Sequence, residues 1–184
     1  MTWFPSLKGF GLGVLVVGLI ALVAMAVYRE IATPPQDQVE PVSAFGRAER
    51  PAMTAAEEAY AHALWPIHAQ VKQNAVRMTF AGLAYKMGDI GLATVKKRVA
   101  SLIPMFDAAL AQANRLRPPV SMLDVHREYI DAIRLYRDSS VTMIKVSGDG
   151  RDEHLIQAHE MSAKAAGLTL KVGEMLWPGE FKPN

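Results

Sequence analysis

The sequence predicts an all-α protein with one N-terminal transmembrane helix, an extended proline-rich linker and an up-down-up-down four-helix bundle. Three observations predict this fold class. Uncharged residues occupy 9–28, prolines recur over 29–53, and apolar residues repeat over 54–176 at alternating spacings of three and four. Such a period places side chains on one seam between nearly parallel helices, and no segment shows the alternation typical of strands.

The uncharged run at 9–28 is predicted to cross a membrane, after a short flank at 1–8. At ~1.5 Å per residue it is about 30 Å long, the thickness of the hydrocarbon core of a bilayer. A cleaved signal peptide is the alternative, because the Ala-Met-Ala sequence at 24–26 resembles a cleavage site. The run is longer than the ~7–15 apolar residues usual in signal peptides, so we expect an uncleaved anchor.

Glycines on the predicted transmembrane helix are candidates for contact with other integral membrane subunits: Gly9, Gly11, Gly13 and Gly18. The first and third form a GxxxG pair, which allows another helix to approach closely, although glycine is also simply common in membrane helices. Lys8 slightly favours a cytoplasmic N-terminus. We therefore expect a single-pass protein of a bacterial inner (cytoplasmic) membrane, with its bundle in the periplasm.

The linker at 29–53 is rich in proline and poor in large apolar residues. Proline lacks a backbone donor and favours extended, polyproline-like backbone. At ~3.1 Å per residue such a chain spans several tens of ångströms, so the bundle can stand well away from the lipid.

Four helices are predicted within the bundle at 54–176, at about 55–87, 90–116, 122–146 and 152–176. The first begins at a capping box formed by Thr54 and Glu57, and Gly88 is its expected stop. Pro66 and Pro104 lie inside helical pattern, where each is expected to kink or interrupt its helix. Short loops then make neighbouring helices antiparallel.

Two features of the apolar stripes refine this expectation. Asn74 lies on the stripe of the first helix, where a buried amide can fix the register of packed helices. The stripe of the fourth helix is made of small residues, which allow close packing: Ala158, Ser162, Ala165 and Thr169.

Composition argues against several classes of function. The net charge is +2 and basic residues are scattered among acidic ones, whereas a nucleic-acid-binding protein is expected to show a basic face. There are no cysteines, so thiol catalysis, disulfides, thiolate metal sites and CxxCH haem attachment are excluded. Phosphate-binding and nucleophile-elbow motifs are also missing from the sequence. We expect no enzyme activity and no catalytic residue.

The five histidines do not form a recognisable metal-binding pattern. Di-iron bundles use Glu-x-x-His on two helices, and no histidine here has a glutamate three residues before it. We predict no metal site and no cofactor-binding residue, with axial ligation of a haem as the alternative.

The tail at 177–184 is the remaining candidate site. Proline and glycine end the fourth helix. The tail has two aromatic residues, Trp177 and Phe181. Exposed aromatic side chains are good anchors for docking to a neighbouring protein. The alternative is that both fold back and cover the end of the bundle.

These observations predict a non-catalytic, membrane-anchored accessory or scaffold subunit that stabilises a larger membrane protein complex. A photosynthetic or respiratory complex is a natural host for such a subunit, although no residue selects it. The expected partners of the subunit are membrane lipid and other integral membrane subunits, and nucleic acid is not among them. The alternative is a periplasmic ligand-binding or sensor-like helical bundle. A redox bundle similar to four-helix cytochromes is a third possibility, weakened by the missing CxxCH motif.

Overall fold

The computed structural model describes residues 52–178, and helices joined by short turns account for nearly all of this part of the chain. The predicted transmembrane helix, the linker up to residue 51 and the tail from residue 179 lie outside the described residues. Among residues 52–178, no helix combines the length and the apolar character that a membrane crossing requires.

The helices of the described region have the following bounds: α1, Ala55–Lys86; α2, Leu92–Ala100; α3, Ile103–Arg115; α4, Leu123–Met143; α5, Val146–Asp149; and α6, Glu153–Leu176. A 3₁₀ turn at Val120–Met122 precedes α4. The predicted all-helical class is confirmed for these residues, which contain no strand. There are four helical segments if α2 and α3 are taken together and α5 is counted as a single turn.

The first helix starts and ends at the predicted signals. The Thr54 backbone N–H donates to Glu57 Oε2 at 2.7 Å, and the Glu57 N–H donates to Thr54 Oγ1 at 3.3 Å, which completes the capping box. Gly88 follows the helix with a φ of 83°, a left-handed conformation that glycine adopts without strain.

The two internal prolines have different outcomes. Pro66 lies within α1 without ending it, and it is exposed, so the carbonyl that it cannot bond lies on the solvent side. Pro104 has no N–H for the carbonyl of Ala100, and the second segment is interrupted just there, at Ser101 and Leu102. Pro104 then lies in the first turn of α3, which starts at residue 103, and proline is favourable in the first turn of a helix.

Successive segments alternate in direction, as two contacts between distant residues show. Lys86 Nζ at the end of α1 lies 2.8 Å from Asp152 Oδ2 at the start of α6. At the opposite end, Ser121 Oγ donates to Glu57 Oε1 at 2.6 Å. We call the end near Glu57 and Ser121 the terminal end, because the described chain enters and leaves the bundle there. The opposite end, with Gly88 and the α5–α6 turn, is the turn end.

The core consists of the apolar stripes that the sequence indicates. Buried residues come from every long helix and recur at spacings of three and four, including Leu64, Val71, Val99, Phe106, Ile133, Ala165 and Val172. Asn74 is also buried on the α1 stripe, as predicted. The contact between α4 and α6 is the most extensive between helices, and Ser139 Oγ donates across it to the Ala158 carbonyl at 2.6 Å. Small side chains allow this close approach.

Candidate functional site

Four aromatic side chains meet at the terminal end and form the end cluster: Trp65, His68, Tyr129 and Trp177. The Trp177 ring centroid lies 5.0 Å from that of Trp65 and 4.8 Å from that of His68. His68 is in turn 5.8 Å from Tyr129. The tryptophan pair is edge-to-face, with an interplanar angle of 74°, an arrangement that aromatic rings prefer.

The end cluster forms because α1, α4 and the end of α6 converge. Trp65 and His68 are one helical turn apart on α1, so they share a face. At Trp177 the chain leaves α6 with a φ of −139°, while its N–H still donates to the Gly173 carbonyl at 2.7 Å. The indole lies against Trp65 and His68 of α1, and it is only 2% exposed.

The end cluster contains two buried hydrogen-bond donors with no acceptor among residues 52–178, Trp177 Nε1 and Tyr129 Oη. Burial raises the pKa of Tyr129 well above its ordinary value, with smaller contributions from Tyr136 and Tyr60, so the phenol keeps its proton. A buried donor without an acceptor costs about 1–3 kcal/mol. Each of the two donors could therefore bond to an acceptor that the described residues do not supply.

A second polar contact lies beside the end cluster. Tyr60 Oη is 3.0 Å from His126 Nδ1, and the two rings meet edge-to-face. Burial raises the pKa of Tyr60 to about 12, and burial lowers the pKa of His126. Both groups are therefore neutral at pH 7, and the tautomer of His126 decides which of the two donates the hydrogen bond.

The remaining histidines are dispersed. His62 and His159 are exposed. His154 Nε2 lies 2.8 Å from Asp149 Oδ2 at the turn end, and the hydrogen bond to His154 lowers the pKa of that carboxyl. Within the part of the chain that the structure describes, no three histidine or acidic side chains are grouped closely enough to hold a metal ion.

A second apolar stripe runs along the outside of α1, and we call it the outer stripe: Val76, Phe80, Leu83 and Met87. Its spacings of four, three and four match those of the core stripe, but three of its members are 52%, 55% and 61% exposed. Leu83 is half-buried and does not pack against the core. The outer stripe is thus an apolar helical seam of which three members are more than half exposed.

The structure describes only one of the sequence-predicted site residues. Trp177 is buried in the end cluster, the position that the fold-back alternative expects for it. Phe181 and the four glycines Gly9, Gly11, Gly13 and Gly18 lie outside the described residues.

Sequence reasoning missed His68 and the outer stripe. Leu64, His68 and Val71 continue the spacing of four and three, so the pattern itself placed the histidine in the core. The outer stripe was visible as a second apolar repeat on the same helix.

Comparison of the chain with protein-family models, with curated proteins and with solved structures finds no match.

Proposed function

We propose that this protein is a non-catalytic, membrane-anchored accessory subunit that stabilises a larger membrane protein complex. The outer stripe is the observation that carries this proposal. A surface helix normally presents polar residues to water, whereas Val76, Phe80 and Met87 are each more than half exposed. Contiguous apolar residues on a surface are typical of interaction sites.

The partner that the outer stripe fits best is another helix. From Val76 to Met87, the residue that caps the end of α1, the stripe is roughly 16 Å long, and its spacing is that of side chains that insert between those of a facing helix. Phe80 lies in its middle, and aromatic residues near the centre of an interface contribute most to binding.

The predicted transmembrane helix supplies the second contact of this proposal. Its glycines, with Gly9 and Gly13 as the GxxxG pair, would pack against a membrane helix of the same complex. Two modest contacts on one chain reinforce each other, because the first raises the effective concentration for the second. The proposed setting is a bacterial inner membrane with a periplasmic up-down-up-down bundle and a photosynthetic or respiratory host complex.

The test is recovery of partners from native membranes in mild detergent, with the full chain carrying an affinity tag. Phe80→Glu places a charge on the outer stripe, and Ile156→Glu is the matched control, because Ile156 is 52% exposed on another helix. We expect stoichiometric partners with the unchanged chain and with the control, and their loss with Phe80→Glu. A lone monomer, or equal recovery with both variants, contradicts the proposal.

The membrane contact has its own test, the replacement of Gly9 and Gly13 by leucine. Larger side chains keep a transmembrane helix apolar but prevent close approach. We expect fewer partners to be recovered while the chain stays in the membrane fraction. Unchanged recovery argues against the glycine face.

A ligand-binding or sensor-like bundle is the second candidate, favoured by the two buried donors of the end cluster. Carboxylate and carbonyl compounds supply oxygen acceptors of the kind that Trp177 Nε1 and Tyr129 Oη lack among the described residues. Binding next to Trp177 would change its emission, so a titration with such compounds, repeated on Trp177→Phe, tests this candidate. An emission that no compound changes contradicts it.

A further inference from the structure

The connection between α3 and α4 presents apolar side chains to solvent at the terminal end, and we call residues 115–123 the apolar tip. Val120 is 86% exposed, more than any other large apolar residue of the described region, and Leu123 is 44% exposed. Arg115 and Arg117 precede them in the chain and are also exposed.

The apolar tip is held in place rather than frayed. Pro118 and Pro119 restrict the backbone, and Pro119 has the extended values of φ −64° and ψ 159°. In the 3₁₀ turn that follows, Met122 enters the core with 7% exposure. Ser121 donates to Glu57 on α1 and so fixes the turn to the bundle. Val120 therefore stays in solvent because the surrounding backbone is tied down.

The charge of the apolar tip is positive. Arg115 and Arg117 make no ion pair with any residue of 52–178. Two acidic groups of the terminal end are already engaged, since Asp124 is paired with Arg127 and the Glu57 carboxylate accepts from Ser121 and Thr54. A cation near an anionic lipid surface contributes electrostatic attraction to binding, and apolar side chains contribute buried area, so the apolar tip combines both kinds of interaction.

The path of the chain is an independent reason to expect a lipid surface near the apolar tip. The described chain enters the bundle before Thr54 and leaves it after Trp177, and both residues belong to the terminal end. The segment that leads to the predicted membrane anchor therefore joins the bundle beside the apolar tip. A linker over 29–51 is long enough to let the tip reach lipid.

We propose that the apolar tip contacts the surface of the anionic membrane that holds the anchor, with Val120 and Leu123 among the headgroups and Arg115 and Arg117 bound to lipid phosphates. This inference rests on the membrane anchor of the proposed function. It adds an orientation, because the terminal end then faces the lipid while the outer stripe stays free for a protein partner.

The test uses the absence of native cysteine from the full chain. Val120→Cys and, as matched control, Met87→Cys at the turn end each receive one environment-sensitive fluorophore; Met87 is 61% exposed. Each labelled full-length chain is reconstituted into vesicles of brominated phosphatidylcholine, with or without phosphatidylglycerol. Bromine quenches only a fluorophore that contacts lipid, so we expect loss of emission for Val120→Cys and none for Met87→Cys.

The dependence on anionic lipid is tested in the same vesicles. We expect stronger quenching of Val120→Cys with phosphatidylglycerol, and loss of this difference when Arg115 and Arg117 are both replaced by glutamine. Quenching that is the same with and without phosphatidylglycerol overturns the recognition of anionic lipid. Equal quenching of both labels also overturns the proposal, because the bundle would then contact lipid without orientation.

Flotation of the same vesicles distinguishes failure of the apolar tip to bind lipid from failure of the membrane anchor. If the chain floats with the vesicles and the label on Val120→Cys stays unquenched, the apolar tip does not bind lipid and the anchor stands. If the chain does not float at all, the anchor fails and the inference fails with it.

Discussion

The two ends of the bundle are closed by different kinds of interaction. At the terminal end, the indole of Trp177 packs 5.0 Å from Trp65 and 4.8 Å from His68, and the apolar tip extends into solvent nearby. At the turn end, the closing contacts are polar and partly exposed, namely the ion pair of Lys86 with Asp152 and the contact of His154 with Asp149.

This difference indicates that the terminal end has features beyond those that the stability of the fold requires. Glycine turns and exposed ion pairs are sufficient to join helices, and each such pair is worth little. The terminal end instead buries large aromatic rings, leaves two donors without acceptors and exposes Val120. These features lie where the described chain enters and leaves the bundle, whereas the outer stripe extends towards the turn end.

The largest effect is expected from Trp177→Ala, which removes the ring that covers the terminal end. Truncation of a buried tryptophan costs about 3–5 kcal/mol of the free energy of unfolding, through lost burial and the cavity left behind. Urea unfolding of the full chain in detergent, followed by far-ultraviolet circular dichroism, measures it. Val120→Ala at the same end is the control and should stay within about 0.5 kcal/mol, because Val120 is exposed. Equal effects of the two variants would show that the indole is not packed.

A smaller effect of opposite sign is expected from Tyr129→Phe. The variant keeps the ring and removes a buried hydroxyl that has no acceptor among the described residues. Because the cost of that unsatisfied group disappears, the free energy of unfolding should rise by about 1 kcal/mol. Destabilisation in the same urea experiment would mean that the hydroxyl has a hydrogen-bond partner in solution.

The turn end should respond weakly to loss of its ion pair. The Lys86 and Asp152 side chains are 29% and 54% exposed, so Lys86→Ala should cost only about 0.2–1 kcal/mol. A double-mutant cycle with Asp152→Ala isolates the pair, and 1 M salt should reduce the coupling energy because salt screens exposed charges. A coupling as large as the effect of Trp177→Ala would remove the contrast between the two ends.

The smallest effect is a pH dependence that arises at the terminal end. Because burial lowers the pKa of His126, the unfolded chain binds a proton more readily than the folded chain between the two pKa values. Stability is therefore complete above the ordinary histidine pKa of about 6.5 and falls as the pH drops below it. The melting temperature of the full chain should decrease on acidification from pH 7.5 to pH 5.5, and His126→Asn should reduce this decrease. An identical pH profile for the two chains would contradict the assignment to His126.

Much of the bundle was predictable because its physical basis is local. The capping box at Thr54, the left-handed Gly88 and the spacing of the buried residues each depend on a few neighbours in sequence. The interruption near Pro104 was also foreseeable, since proline removes one hydrogen bond at a known position.

The end cluster could not be predicted in the same way. Its rings come from α1, α4 and the end of α6, and their meeting depends on where each helix ends in space rather than on any short pattern. The effect of Pro66 on α1 was also not predictable. Proline is tolerated on an exposed face of a helix but not on a packed face, and the sequence did not show on which face Pro66 lies. The exposure of Val120 could be recognised only from the structure of the 3₁₀ turn.

The central claim is that the uncharged run at 9–28 stays on the chain and holds the bundle to a membrane. Alkaline carbonate extraction of native membranes, followed by intact-mass measurement, tests it most directly. Our account predicts that the chain in the membrane pellet still contains residues 9–28. A soluble product whose N-terminus is Val27 would contradict it.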